Sequence, residues 1–254
     1  MQPAAFQPNS TSKALLPGER TFCEGRPVRN RILLALPDAE YQILRPFVSA
    51  VDLPQQTRLH EPGERLTFAY FPNRGLLSLV VVTREHKTIE VAVVGNEGLI
   101  GTPAFVGLNR SPHRAVVRIA GDGFRLRVEA LSSLLPLTPQ LQLLSNRYAV
   151  IQGMQAAQFA ACNRLHRVEQ RLARWLLETQ DRLDDGPLYA THDFLAAMLG
   201  TDRPSVSLAA GVLQRKGAIG YTRGVVNILS REKIEEAACE CYWVVQQFDT
   251  FMLK

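Results

Sequence analysis

The sequence predicts an α+β fold with an N-terminal antiparallel β-roll or jelly roll, a long helix and a C-terminal winged helix-turn-helix domain. Short segments rich in Val, Ile and Leu, separated by glycine-containing turns, run from about Val51 to Val128 and are typical of antiparallel β proteins. Beyond them, apolar residues recur every three or four positions, which indicates helices. We therefore expect a flexible tail at 1–28, a β-roll domain at 29–136, a long helix at 137–165 and the winged helix-turn-helix domain at 166–254.

Composition limits the class of protein. With 254 residues the chain is long enough for one large or two medium domains, and its net charge of +5 fits a nucleic-acid partner without requiring one. The sequence has no apolar run of about 18 residues, and its first residues lack the apolar core of a signal peptide. We therefore expect a cytoplasmic protein without a membrane partner.

The cysteines give no metal motif. Cys23, Cys162, Cys239 and Cys241 contain no Cys-x-x-Cys pair among them. We interpret Cys239 and Cys241 as ordinary thiols in preference to a redox or metal site. The sequence thus predicts no metal site and no cofactor.

The β-roll is predicted from its strands. Two helical pieces between Asn30 and Ser49 are expected to cover it. Turn residues separate the strands, including a Gly-Asp-Gly turn at 121–123. The five predicted strands are 66–72, 76–83, 88–94, 114–121 and 124–130.

The helix at 137–165 is predicted to dimerise. Thr138 is a suitable N-cap and Pro139 a suitable first residue. The spacing of its apolar residues is that of a coiled-coil seam, so we expect it to pair with its twin in a homodimer. The candidate seam residues are Leu141, Leu144, Tyr148, Ile151, Gln155 and Cys162. The alternative is a helix that packs only on its own β-roll.

The stretch 191–230 predicts a helix, a tight turn, a second helix and a short hairpin, which is the order of a winged helix-turn-helix. A helix at about 168–183, stopped by residues 184–187, comes before it. Gly200 can take a positive φ, Asp202 can cap the second helix, and Pro204 fits its first turn. The side chains expected to form the shared core are Leu195, Leu199, Val206 and Leu213.

The polar residues of this stretch suit DNA. Residues 200–231 carry five Lys or Arg side chains and one acid, a local charge of +4. In such motifs the start of the second helix contacts base edges, while flanking residues contact phosphates. The candidate DNA-binding residues are Thr191, Arg203, Pro204, Ser205, Ser207, Leu208, Arg215, Lys216, Tyr221 and Arg223. The alternative is a module used only for packing or protein contact.

From about Val51 to Tyr242 the sequence resembles the Crp/Fnr family of bacterial transcription regulators, most specifically in the run LGTDRPSV at 199–206. The resemblance implies a cyclic-nucleotide-binding-like β-roll and DNA binding. Arg203 matches the family's guanine-reading arginine. Pro204 replaces the family's glutamate, and Leu208 replaces a later base-contacting arginine. The resemblance therefore implies an operator other than the family's commonest one.

The family's cyclic-nucleotide cassette is degenerate here. The family uses Gly-Glu-Leu followed by Arg-Ser or Arg-Thr, whereas this chain has Gly after its Glu and Pro after its Arg-Ser. A phosphate needs a cation and several N–H donors that converge on it. We expect a regulator not controlled by classical cyclic AMP binding, and the alternative is one that needs a cyclic nucleotide or another small molecule. The candidate effector-binding residues are Glu97, Gly98, Arg110, Ser111 and Arg114.

These observations predict a homodimeric, sequence-specific transcription regulator that binds a two-fold symmetric site in double-stranded DNA. RNA polymerase and an unidentified small-molecule effector are further candidate partners. No catalytic residue is predicted, because the chain has no His-x-His pair, nucleophile elbow or Walker loop. An interaction adaptor that no longer binds DNA is the remaining alternative, suggested by Leu208 and the uncharged residues around it.

Overall fold

The computed structural model describes residues 16, 19–22, 25–183 and 188–251, with side chains described as far as residue 248. Two short helices, α1 (Arg31–Leu34) and α2 (Asp38–Leu44), precede the β-roll, as predicted. A 3-10 turn at Arg45–Phe47 leads into the first strand. Within the described parts of the chain, no helix combines the length and the apolar character needed to cross a membrane.

The β-roll is built from two antiparallel sheets, which confirms the predicted fold class. Its strands are β1 (Val48–Leu53), β2 (Arg58–His60), β3 (Phe68–Pro72), β4 (Leu76–Val82), β5 (Thr88–Val94), β6 (Arg114–Ile119) and β7 (Gly121–Arg127). One sheet has the order β1-β7-β3 and the other the order β2-β6-β4-β5. The sequence predicted β3 to β7 individually but not β1 and β2. The last predicted strand was too long, because a helix already begins at Val128.

Gly121 and Gly123 do not form the predicted turn; both lie inside β7. A Cβ on Gly121 would come 2.1 Å from the carbonyl oxygen of Arg74, and one on Gly123 would come 2.5 Å from that of Phe71. The two glycines are therefore explained by close backbone approach rather than by a turn. Sequence spacing alone does not distinguish these two uses of glycine.

The predicted tail at 1–28 is too long. The ring of Phe22 is 1% exposed and lies 4.6 Å and 4.7 Å from the ring centroids of Tyr41 and Phe124. Arg20 donates to the Leu33 carbonyl at 2.8 Å and forms an ion pair with Asp38 at 2.6 Å. Aromatic packing and a buried guanidinium thus hold this segment on the β-roll. The prediction for 1–15 lies outside the described residues.

The long helix α4 (Pro139–Leu165) begins where the sequence predicts, after α3 (Val128–Leu134) and a 3-10 turn. Its cap is different from the prediction. The Thr138 hydroxyl donates to the Leu134 carbonyl at 2.9 Å and caps nothing. The Glu40 carboxylate of α2 instead accepts from the N–H groups of Gln140 and Leu141, at 2.9 Å and 3.0 Å. A carboxylate at this end of a helix satisfies unpaired donors and complements the helix dipole.

The predicted dimer seam was wrong, because its residues face the interior of their own chain. None of the six is more than 5% exposed. They are Leu141, Leu144, Tyr148, Ile151, Gln155 and Cys162. A side chain already buried within its own chain is not available to a second copy. The periodicity located a buried face of the helix, but it did not reveal what buries it.

The C-terminal part follows the predicted order of a winged helix-turn-helix. Its helices are α5 (Val168–Gln180), α6 (His192–Leu199), α7 (Arg203–Arg215), α8 (Arg231–Ala237) and α9 (Cys241–Phe251). Its strands β8 (Leu188–Tyr189), β9 (Ile219–Thr222) and β10 (Val225–Ile228) form a sheet in the order β8-β10-β9. The helix predicted at 168–183 ends at Gln180, and its predicted stop at 184–187 lies outside the described residues.

Helix α5 is joined to the β-roll by buried polar contacts. The Trp175 indole N–H donates to Glu90 of β5 at 2.9 Å, and the Ser78 hydroxyl donates to the other Glu90 oxygen. Just after α5, Arg182 donates to Glu97 at 2.9 Å. Burial raises the pKa of Glu90 to about 7 and outweighs the hydrogen bonds from Ser78 and Trp175.

Candidate nucleic-acid interface

The turn between α6 and α7 has the predicted local chemistry. Gly200 ends α6 with φ of 58°, in the left-handed region where a side chain is costly. The Asp202 carboxylate accepts from the Ser205 backbone N–H at 2.8 Å, and this bond is the main cause of its lowered pKa. Pro204 lies in the first turn of α7, where a missing N–H costs little. The residue types within this turn therefore determine where α6 ends and where α7 begins.

A small apolar core supports the same geometry. The four side chains predicted to face inward are all buried: Leu195, Leu199, Val206 and Leu213. Trp175 and Leu172 of α5 belong to the same core. Since one face of α7 packs on this core, the opposite face is presented to solvent.

The solvent face of α7 is one continuous strip. Its exposed residues recur every three or four positions: Arg203, Pro204, Ser207, Leu208, Gln214 and Arg215. Leu208 is 73% exposed, which is unusual for a leucine. Gly211 lies in the middle of the strip and leaves it flat there. The sequence prediction missed Gly211 and Gln214, although helical spacing from Ser207 and Leu208 could have found them.

At the start of α7, hydrogen bonds orient side chains before any ligand is present. Ser207 and His192 share a hydrogen bond of 2.7 Å, and the His192 ring stacks on Tyr221 at 4.3 Å. The Ser205 hydroxyl donates to Asp202 at 2.9 Å, so it is engaged within the chain. Arg203 lies 3.6 Å from Asp193, with both side chains exposed. His192 had no signal in the sequence, because its partner is fifteen residues away.

The wing carries Arg223 at its tip. Arg223 and Gly224 have φ of 49° and 82°, which gives the two-residue turn typical of tight hairpins. Arg215 and Lys216 are exposed at the end of α7. The Thr191 hydroxyl caps α6 by accepting from Phe194 N–H at 3.2 Å. The predicted phosphate-binding residues therefore lie at the end of α7, at the wing and at the start of α6.

Arg231 contributes less positive charge than the sequence count implied. It forms ion pairs with Asp181 at 2.7 Å and with Glu235 at 2.6 Å. The remaining basic residues of the stretch 200–231 are Arg203, Arg215, Lys216 and Arg223.

The predicted effector residues do not converge on one site. Glu97 is buried and accepts from Arg182 and from Gly95 N–H, so its carboxylate is occupied. A Cβ on Gly98 would lie 1.9 Å from the Tyr148 ring, which explains this glycine by packing. These two assignments are therefore corrected.

The basic members of that set also have local partners. Arg114 forms an ion pair with Glu61 at 2.8 Å, and Arg110 donates to the Gly63 carbonyl. Ser111 is buried and accepts from His113 N–H at 3.2 Å. With both guanidiniums tied to the β-roll, the set does not provide a phosphate cradle, and this prediction is corrected as well.

A cavity of about 240 Å³ lies between the β-roll and α4. Its lining includes His60, Thr102, Ser111 and Gln152, and it contains no Lys or Arg among the described residues. Thr102 donates to Gln152 at 3.0 Å, while Nε2 of Gln152 and Nε2 of His60 have no hydrogen-bond partner. Burial lowers the pKa of His60, which favours a neutral ring. The cavity is therefore weakly polar and lacks a cation.

The sequence predicted no metal site, but the structure brings together residue types that could bind a metal ion. It groups four side chains whose ligand atoms all lie within 4.8 Å of one another: Cys162, His166, Cys239 and Cys241. Linear spacing missed the group because its two halves are 77 residues apart, from Cys162 to Cys239.

Comparison with known proteins agrees with this geometry. A family model described as the Crp-like helix-turn-helix domain matches residues 170–237. The transcriptional regulator SdrP of Thermus thermophilus is 29% identical over 185 residues, which cover 70% of this chain and 86% of SdrP. TTHA1359, a Crp/Fnr-family transcriptional regulator of T. thermophilus, is 25% identical with a TM-score of 0.59, covering 75% of this chain and 98% of its own.

A more distant structure shows the fold alone. FixK2 of Bradyrhizobium japonicum is 14% identical with a TM-score of 0.66, over 76% of this chain and 98% of FixK2. The domain match shows a Crp-like helix-turn-helix at 170–237. With it, the relatives support a DNA-binding transcription regulator similar to those of the Crp/Fnr type, in which a cyclic-nucleotide-binding-like fold precedes the helix-turn-helix.

Proposed function

We propose that two copies of the chain bind a two-fold symmetric DNA site in the cytoplasm, with each α7 in the major groove. The observation that carries this proposal is the exposed strip on α7, held outward by a buried core on its other face. In this arrangement Arg203 reads a guanine, and Leu208 contacts a thymine methyl group. Pro204 supplies no hydrogen bond, so its neighbouring base pair is read by shape or not at all.

Phosphate contacts come from the flanks of α7. Arg215, Lys216 and Arg223 are the exposed cations there, and Thr191 and Tyr221 lie beside them at the start of α6 and on the wing. His192 holds Ser207 and stacks on Tyr221, so we add it as a positioning residue. These contacts set orientation and affinity, while the start of α7 sets sequence preference.

For the dimer we propose the solvent face of α4 in place of the seam predicted from sequence. An apolar row runs along this face: Leu143, Val150, Met154, Ala157, Ala161 and Leu165. Val150 and Leu165 are 63% and 74% exposed. From Val150 onward the row has spacings of three and four, as in a coiled coil, and Leu143 lies seven residues before Val150. An exposed apolar stripe of this kind marks an interface. A two-fold axis along α4 would place two α7 helices for half-sites about 34 Å apart.

A second proposal concerns the effector. The cavity borders α4 at Ala149, Gln152 and Gly153, close to the proposed dimer face. Because no Lys or Arg among the described residues lines it, we propose a small, weakly polar ligand there rather than a cyclic nucleotide. We therefore expect cyclic AMP to leave DNA affinity unchanged.

The first experiment is selection of bound duplexes from a random DNA pool with the full chain. A two-fold symmetric motif supports the proposal. Arg203→Ala should then lose about 1–3 kcal/mol of discrimination at one position of each half-site, whereas Arg223→Ala should weaken all sequences equally. Arg31→Ala, an exposed arginine of α1, is the matched control and should change neither. If Arg203→Ala lowers affinity without changing preference, the proposed docking of α7 is wrong.

The dimer face has its own test. Val150→Glu places a charge in the exposed apolar row and should shift the protein to monomer in sedimentation experiments. Ser132→Glu, on the exposed side of α3, is the matched control and should remain dimeric. A Val150→Glu protein that stays dimeric would remove α4 as the interface.

A further inference from the structure

A four-residue cluster joins the end of α4 to the C-terminal helix. Cys162 lies in the last turn of α4, and His166 follows immediately as the residue that ends this helix. Cys239 lies between α8 and α9, and Cys241 is the first residue of α9. The topology thus brings two short sequence pairs together, a Cys-x-x-x-His and a Cys-x-Cys.

We propose that this cluster binds one Zn²⁺ ion through the side chains of Cys162, His166, Cys239 and Cys241. Three cysteines and one histidine are a common ligand set of structural zinc sites. Binding breaks three S–H bonds and forms three Zn–S bonds and one Zn–N bond, and the three protons pass to solvent. This site lies apart from the α7 strip and from the cavity.

The distances fit a single tetrahedral ion. Zn–S bonds of about 2.3 Å and a Zn–N bond of about 2.0 Å require ligand atoms about 3.8 Å apart for two sulfurs and about 3.5 Å apart for sulfur and nitrogen. The Sγ atoms of Cys162 and Cys239 are 3.5 Å apart. The Sγ of Cys241 lies 3.6 Å from Nδ1 of His166. These two distances match the edges of one coordination tetrahedron, and all four ligand atoms lie within 4.8 Å of one another.

Neighbouring groups orient the ligands. With Nδ1 of His166 directed at the cluster, its Nε2 lies 3.2 Å from the Glu240 carboxylate. A carboxylate on the second ring nitrogen fixes the tautomer that leaves Nδ1 free to ligate, as in many zinc sites. Gln158 donates to the Cys241 sulfur at 3.0 Å, which suits a thiolate.

Burial and charge favour an ion over three free thiols. The three sulfur-bearing residues are at most 2% exposed. Three thiolates and Zn²⁺ leave one net negative charge, which needs a nearby cation. Arg171 of α5 is buried, lies close enough to interact electrostatically with Cys162 and Cys239, and has two nitrogens without a hydrogen-bond partner. The Arg171 guanidinium is therefore the expected counterion.

Other uses of the cysteines fit less well. A disulfide between Cys162 and Cys239 requires a sulfur separation of about 2.0 Å and leaves His166 and Cys241 without a role. An iron–sulfur cluster distributes its cysteines over several iron atoms, whereas all four ligand atoms here lie within 4.8 Å of one another. The ion would tie α9 to the end of α4, next to the point where α5 begins.

The test is elemental analysis of the full chain, purified under reducing conditions with its affinity tag removed. We expect about one zinc per chain. Replacement by Co²⁺ should give the charge-transfer and strong visible bands of a tetrahedral thiolate site. Cys239→Ser and Cys241→Ser should each lose most of the zinc. Cys23→Ser removes the remaining cysteine of the chain and is the matched control that should keep it.

A further variant keeps the test valid if a cysteine mutant fails to fold. Glu240→Gln leaves all four ligands in place and should weaken zinc affinity about 10- to 100-fold in competition with a chromophoric chelator. Wild-type protein that takes up neither zinc nor cobalt would overturn the proposal. So would stoichiometric iron, a Cys162–Cys239 disulfide in the reduced preparation, or equal zinc affinity of Glu240→Gln and wild type.

Discussion

Glu90 offers a sharp test of the contact between the β-roll and α5. Its carboxylate is fully buried, accepts from Ser78 and Trp175, and interacts with the charges of Arg118 and Arg174. Glu90→Gln keeps the shape of the side chain, an acceptor for the indole N–H and a donor for the Ser78 oxygen. The substitution therefore removes the charge of the carboxylate and little else.

The expected magnitude follows from the pKa. Burial is the largest cause that raises the pKa of Glu90 from 4.5 to about 7. At about 1.4 kcal/mol for each tenfold change in proton affinity, this difference is worth about 3 kcal/mol. Between pH 4.5 and about 7 the folded state keeps a proton that the unfolded chain has lost, so Glu90 lowers stability progressively as pH rises. Above about pH 7 the destabilisation by Glu90 reaches its full size, and below pH 4.5 Glu90 has no such effect.

Thermal unfolding between about pH 5 and pH 8 measures this effect. At the upper end Glu90→Gln should melt roughly 6–12 °C above wild type, at about 2–4 °C per kcal/mol for a chain of this size. The difference in melting temperature between Glu90→Gln and wild type should disappear towards the lowest pH of this range. Glu85→Gln, an exposed carboxylate on the preceding turn, is the control and should change stability by less than about 0.5 kcal/mol. If Glu90→Gln melts below wild type at the alkaline end, the arginines stabilise the ionised carboxylate more than burial penalises it.

Four further substitutions test local packing and caps. Gly98→Ala should lower the free energy of unfolding by about 1–3 kcal/mol, because its Cβ would meet the Tyr148 ring. Gly153→Ala, whose Cβ meets nothing within 4 Å, should raise it by up to about 1 kcal/mol. A Gly153→Ala protein less stable than Gly98→Ala would contradict the packing. Glu40→Gln leaves one acceptor for two N–H groups and should speed hydrogen exchange in the first turn of α4; unchanged exchange would show that the cap comes from elsewhere. Asp202→Ala removes the cap of α7, so it should lower the melting temperature and weaken binding to all DNA sequences. Altered sequence preference would refute a purely structural role.

The predictions from sequence are most accurate where the residues that determine the structure are close together in the chain. Gly200, Asp202 and Pro204 act within one turn of themselves, so their types alone indicate the helix ends. The same holds for the strip on α7, because helical periodicity decides which of its residues share a face.

The incorrect predictions have a common physical origin, because each concerns a side chain whose partner lies far away in the sequence. The cap of α4 comes from Glu40, 100 residues before Gln140. The buried face of α4 was identified, but it packs within its own chain and not on a second copy. Leu141 to Ile151 pack in the β-roll core, and Cys162 packs against Cys239 and Cys241. Glu97 was read as a ligand-binding carboxylate, whereas Arg182, 85 residues later, occupies it. Periodicity in the sequence indicates that a side chain is buried, but it does not indicate which part of the protein buries it.

The contacts from α5 to the β-roll also determine how the protein can be studied in pieces. A fragment that starts near residue 166 would leave the Trp175 indole and the Arg182 guanidinium in water, without the carboxylates that now receive them. The β-roll fragment would regain hydration of Glu90 and Glu97, so each piece would gain solvation that the whole protein forgoes. Affinities and melting temperatures of the two fragments should therefore not add up to those of the intact chain.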